Sequence, residues 1–109
     1  MVSIKKLILV TAKFHPLHKV FTRITDILAE RLNVEKEVKY EDYIFLAKYG
    51  EKDEFGMAGT PQLLVEFDDG RILPVLTQGN LPLTAALKPD IDKAIEQVIS
   101  TINSIIKGS

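Results

Sequence analysis

Leu7-Ile8-Leu9-Val10-Thr11-Ala12 runs directly into Phe14-His15-Pro16-Leu17-His18-Lys19, and the fold turns on how this junction is read. The first stretch is continuously apolar and rich in branched side chains, the pattern of a central strand covered on both faces. From Leu17 the apolar positions fall at Val20, Phe21, Ile24, Ile27, Leu28 and Leu32, while Lys19, Arg23, Glu30 and Arg31 fall between them. That spacing predicts an amphipathic helix. Pro16 reads as its first helical residue and His15 as its N-cap, and Asn33 ends it.

Working outward, residues 34–40 alternate Val38 and Tyr40 with Glu37, Lys39 and Glu41, an exposed edge strand. Asp42 caps a short helix over residues 43–49, which Gly50 would end in a left-handed conformation. Residues 51–56 have no period and read as a solvated loop. Gln62-Leu63-Leu64-Val65-Glu66-Phe67 is a strand, and Asp69-Gly70 predicts the tight turn whose twist matches an antiparallel hairpin into residues 71–76. Pro74 cannot donate to a ladder, so that last strand lies at an edge or carries a bulge. Ile91, Ala94, Ile95, Val98, Ile99, Ile102, Ile105 and Ile106 mark one face of a final helix, with Ile105 and Ile106 candidates for a subunit interface.

Composition narrows the function classes. A chain of 109 residues, 46% hydrophobic, is one domain with one core. Residues 1–107 form that domain; Gly108-Ser109 read as a cloning scar or frayed end. Fourteen basic residues against fifteen acidic ones leave a formal charge of −1, with no basic stripe for nucleic acid. The apolar run near the N-terminus is too short to span a bilayer, so no membrane partner and a cytoplasmic location are expected. The absence of cysteine removes disulfides, thiolate nucleophiles and zinc-thiolate sites.

The order strand, helix, strand, helix, hairpin, helix resembles the α/β thioredoxin fold, βαβαββα, with a four-stranded mixed sheet and three helices on its faces. In that family Trp-Cys-Gly-Pro-Cys-Lys stands where the first strand meets the first helix. Here Phe14 matches the tryptophan, His15 and His18 the two cysteines, and Lys19 the lysine. Leu46-Ala47-Lys48-Tyr49-Gly50 is similar to the stretch that ends the family's second helix, and Thr60-Pro61 to the residue before the cis-proline and that proline. The likeness runs nearly the length of the chain. It departs at the missing cysteines, at Gln62 where threonine is usual, and at a longer loop before Pro61. The resemblance implies a cis Thr60-Pro61 bond, which the sequence alone does not favour.

With disulfide exchange excluded, the leading expectation is a non-catalytic binding or adaptor module. Its groove, between Phe14, His15 and His18 on one side and Thr60 and Pro61 on the other, would hold a protein or an extended peptide segment. No cofactor is then expected. The alternative is a divalent-metal protein, zinc for example, with His15 and His18 as ligands and Glu51, Asp53 and Glu54 as the nearest candidates to complete a site. The plain reading of the pair is that His15 caps the helix and His18 is a partly exposed polar residue. No serine, threonine or carboxylate is tied to the pair by spacing, so acid-base catalysis is the least expected of the readings. Phe14 is equally a hydrophobic staple on the first turn. Self-association as a homodimer stays open.

Overall fold

Strand β1 (Ile4–Thr11) is the spine of the molecule, fully buried from Leu7 onward in a computed structural model that describes residues 2–108. Met1 and Ser109, with the expectation made for Ser109, lie outside the described residues. After β1 come α1 (His18–Leu32), β2 (Glu35–Tyr40), α2 (Tyr43–Tyr49), β3 (Gln62–Phe67), β4 (Ile72–Thr77), a 3₁₀ turn (Gln78–Asn80) and α3 (Ile91–Lys107). The four strands form one mixed sheet in the order β2-β1-β3-β4. β1 runs parallel to β2 and antiparallel to β3, and β3 runs antiparallel to β4.

Alternation along β1 divides the core. Leu7 and Leu9 face α1 and α3, where they meet Phe21, Ile24, Leu28, Val98 and Ile102. Ile8 and Val10 face the other side, where Leu46 of α2 and Leu64 cover them. Each fully buried side chain of this kind contributes about 1.5–3 kcal/mol. β1 begins at Ile4 rather than Leu7, because Lys5 and Lys6 are strand residues whose ammonium groups reach carboxylates on neighbouring strands.

Three local expectations need correction. The α-helix starts at His18 with Leu17 as N-cap, not at Pro16 with His15 as N-cap. Tight turns come first: the His15 N–H donates to Ala12 O at 2.9 Å, and the His18 N–H to His15 O at 3.0 Å. The first α-helical bond is Phe21 N–H to Leu17 O. Gly50 is not left-handed, since its φ is −77°. Glycine is needed there for space, because a Cβ would meet Leu46 O at 2.8 Å and Gln62 Oε1 at 3.1 Å. The hairpin after β3 closes through three residues: Gly70 N–H donates to Phe67 O and Phe67 N–H to Arg71 O, with only Gly70 at positive φ.

Other signals hold. Asn33 ends α1 in a left-handed conformation, φ 53°, and Asp42 Oδ1 accepts the Phe45 N–H at 3.0 Å to cap α2. Pro74 sits on an edge strand and at a register shift: Leu63 faces Leu76, whereas Leu64 faces Pro74, leaving Val75 as the extra residue. Ile105 and Ile106 are half-buried against the main core. Among the described residues no helix is long and apolar enough to cross a membrane.

Candidate functional site

The topology gathers four chain ends at one end of the sheet. β1 and β2 both finish there, β4 finishes there, and β3 begins there. Val10 is paired with Gln62, so the chain leaving Thr11 and the chain arriving through Thr60-Pro61 occupy neighbouring strand positions. The Phe14-His15 turn and the Thr60-Pro61 segment therefore emerge side by side. The Thr60-Pro61 bond is cis, Pro61 is buried and Thr60 is half-buried. Among the described residues the Thr60 backbone makes no hydrogen bond. Phe14 is 75% exposed, so it does not act as a staple.

A cavity of about 450 Å³ lies against Thr60 and Pro61, walled by Glu51, Asp53 and Met57 on one side and by residues 77–80 on the other. Phe14, His15 and His18 do not line it. The two halves of the expected groove share one end of the sheet but not one enclosed cavity.

Each histidine already has a protein partner. His15 Nδ1 accepts the Leu17 N–H at 3.0 Å, which puts the proton of the neutral ring on Nε2. His15 thus satisfies a backbone donor of the turn, a capping role one step removed from the one expected. His18 Nδ1 and the hydroxyl of the fully buried Thr11 lie 2.9 Å apart in a hydrogen bond. The His18 ring also stands 6.2 Å from the Tyr40 ring, over which the Lys13 ammonium sits at 5.0 Å.

Glu51, Asp53 and Glu54 do not join the histidines. Among the described residues no three His, Asp or Glu side chains come together in a group able to hold a metal ion. Asp53 Oδ1 instead accepts the Phe55 and Met57 N–H groups, at 2.9 and 3.0 Å, and folds the loop on itself.

Gln62 carries a role that the sequence reading missed. It is 3% exposed; its Oε1 accepts the Glu51 N–H, and its Nε2 donates to Glu51 O and Gly59 O. One amide closes both ends of the loop that leads to Thr60. The signal was a polar residue opening a strand that is otherwise apolar and buried, since such a group must find partners. The loop's outer side also holds Phe55 and Met57, 80% and 70% exposed, where solvated polar residues were expected.

The titratable groups with displaced pKa values lie elsewhere. A hydrogen bond to Glu37 holds the Lys6 ammonium above its ordinary value, and the same bond, followed by that from Lys39, holds Glu37 below its own. The Arg71 N–H holds Asp69 low in the hairpin turn. The site itself is set by shape and hydrogen bonding.

No family model, curated protein or solved structure matches the chain.

Proposed function

We propose that the chain is a cysteine-free, thioredoxin-like domain that acts as a binding or adaptor module, holding an extended segment of a partner protein along the edge formed by Phe14, His15, His18, Thr60 and Pro61. The sheet order, the antiparallel placement of β3 against β1 and the cis Thr60-Pro61 bond support the fold assignment. Without cysteine the domain performs no thiol-disulfide exchange.

The observation that carries the functional reading is the free backbone of Thr60. Its N–H and C=O stand beside an open cavity, on the chain that enters β3. Backbone groups in that position pair with an added peptide strand, and neighbouring pockets select its side chains.

The test is to pan random short peptides against the untagged protein and against Phe14→Ser, a change at an exposed side chain that leaves the core intact. Peptides that bind the wild type and lose tenfold or more in affinity for the variant support the reading. No enrichment, or equal binding to both proteins, contradicts it. Stoichiometric zinc in the purified protein, lost in a His15→Ala, His18→Ala double variant, would put the metal reading in its place.

A further inference from the structure

Three threonines lie within the long helices, and two of them dispose of their hydroxyl in the same way. Thr25 Oγ1 donates to Phe21 O at 2.8 Å and Thr101 Oγ1 to Gln97 O at 2.9 Å, each one turn back along its own helix. Thr22 does not. Its Oγ1 is the one buried side-chain N or O atom among the described residues that has no hydrogen-bond partner. A buried hydroxyl left unpaired costs stability, so its surroundings call for a physical reason.

Thr22 lies in the wall of a groove of about 380 Å³ along α1, lined by His18, Lys19, Thr22, Arg23, Asp26 and Ile27. His18 and Thr22 are four residues apart, as are Lys19 and Arg23, so the four side chains are neighbours on one face of the helix. Lys19 and Arg23 are like charges at that spacing, which weakens a helix. Among the described residues neither has an ion-pair partner, whereas Lys5, Lys6, Lys36, Lys39 and Arg71 each reach a carboxylate. The nearest acid along α1, Asp26, is taken by Lys36 of β2. His18 adds a donor. Thr11 Oγ1 is fully buried with His18 Nδ1 as its side-chain partner, so the hydroxyl proton points to Nδ1 and the neutral ring carries its own proton on Nε2.

Two unpaired cations, an imidazole N–H and an unpaired hydroxyl thus share one groove, and its single carboxylate is already neutralised. Donors so placed match a tetrahedral oxyanion of high charge, whose oxygens take charge-assisted hydrogen bonds from Arg and Lys and a further bond from the hydroxyl. The groove falls within the range of small-molecule sites, about 300–1,000 Å³, and the half-buried Ile27 lies beyond the cations along α1. It has room for an organic body as well as the anion.

We infer that the groove along α1 is a binding site for a phosphate monoester, held by Lys19 and Arg23 with the Thr22 hydroxyl and His18 Nε2 as further donors. The test is an amide chemical-shift titration of the nitrogen-15 labelled full chain with phenyl phosphate, beside benzenesulfonate, which has a similar shape and a single charge. The expected result is saturable binding of phenyl phosphate that perturbs residues 18–23 and leaves the Thr60 amide unmoved, with benzenesulfonate weaker by tenfold or more. Arg23→Gln, at an exposed side chain, should lose tenfold or more in affinity. Thr22→Val should lose several-fold in affinity and yet melt no lower than the wild type, because it removes an unpaired buried hydroxyl. No saturation in the millimolar range overturns the inference, as does equal binding of benzenesulfonate, or an affinity that both substitutions leave unchanged. A short phosphoserine peptide that binds more tightly than phenyl phosphate supports the site with a phosphorylated protein segment as the source. A peptide that binds more weakly supports it with a small phosphorylated molecule as the source.

Discussion

Gln62 Oε1 accepts the Glu51 N–H at 2.9 Å while its Nε2 donates back to the Glu51 carbonyl at 2.9 Å, so one side-chain amide pairs with a peptide group as an adjoining strand would. A third bond, from Nε2 to Gly59 O at 3.0 Å, ties the far end of the loop to the same amide. The loop before Thr60 is long, and this clasp fixes both of its ends. Truncating the clasp in Gln62→Ala leaves three backbone groups without their partner. Allowing for water at the loop's open side, the cost is about 2 kcal/mol. Urea denaturation measures that loss. Hydrogen exchange should show the Glu51 amide released while the amides of β1 and β3 keep their protection. Unchanged exchange at Glu51 would show that the clasp holds nothing.

The glycines around this loop separate close packing from handedness. A Cβ on Gly50 meets the Leu46 carbonyl, a backbone atom in the last turn of α2 that has no rotamer to adopt. Gly50→Ala should therefore destabilise by about 2 kcal/mol. Gly59 has open space around it and no left-handed φ, so Gly59→Ala should stay within about 0.5 kcal/mol of the wild type. Thermal melts of the two variants, read side by side, decide the point.

Much of the architecture was legible because it rests on periodicity. The unbroken apolar run of β1, the stripes of α1 and α3, and the capping chemistry at Asn33 and Asp42 are local signals that tertiary packing did not override. The start of α1 was misread because Pro16 suits a first helical residue, while the turn bonds from His15 and His18 that delay the helix depend on how the chain leaves β1. The site was less legible. The sequence marked His15, His18 and Thr60-Pro61, yet Gln62 acts through residues three and eleven positions away, and no spacing rule reports a bond of that kind.

Thr11 is the partner that orients His18, because its hydroxyl is the group hydrogen-bonded to Nδ1 and is itself fully buried. Thr11→Val keeps the branched shape of the strand residue and removes that bond, at about 1 kcal/mol. Nitrogen-15 spectra of the imidazoles should show the tautomer balance of His18 altered. His15, whose Nδ1 accepts from the Leu17 N–H, should be unaffected. Equal shifts at both rings would contradict the assignment.

Glu37 links the edge strand to the centre of the sheet through Lys6 of β1, and it also pairs with Lys39 of its own strand. Its carboxylate pKa is lowered on folding, first by the hydrogen bond from Lys6 and then by that from Lys39. A lowered carboxylate stabilises the fold above its ordinary pKa, and the contribution fades as pH falls through the folded value. Lys6 is raised by the same bond, so its contribution is present below the ordinary lysine range and is lost as pH climbs through the folded value. Glu37→Gln should therefore flatten both limbs of the stability profile and differ most from the wild type near neutrality. These groups are solvent-accessible, so added salt should shrink the difference. Urea midpoints across the pH range, at low and high salt, give the comparison.

The binding edge is tested most directly by amide chemical-shift mapping of the nitrogen-15 labelled protein, titrated with a peptide selected from the random library. The expected perturbations centre on Phe14, His15, Thr60 and the amides of residues 51–59, with the C-terminal half of α3 silent. Perturbations confined to α1, α3 or the outer edge of β4, with the Thr60 amide unmoved at saturation, would contradict a binding edge at Thr60-Pro61.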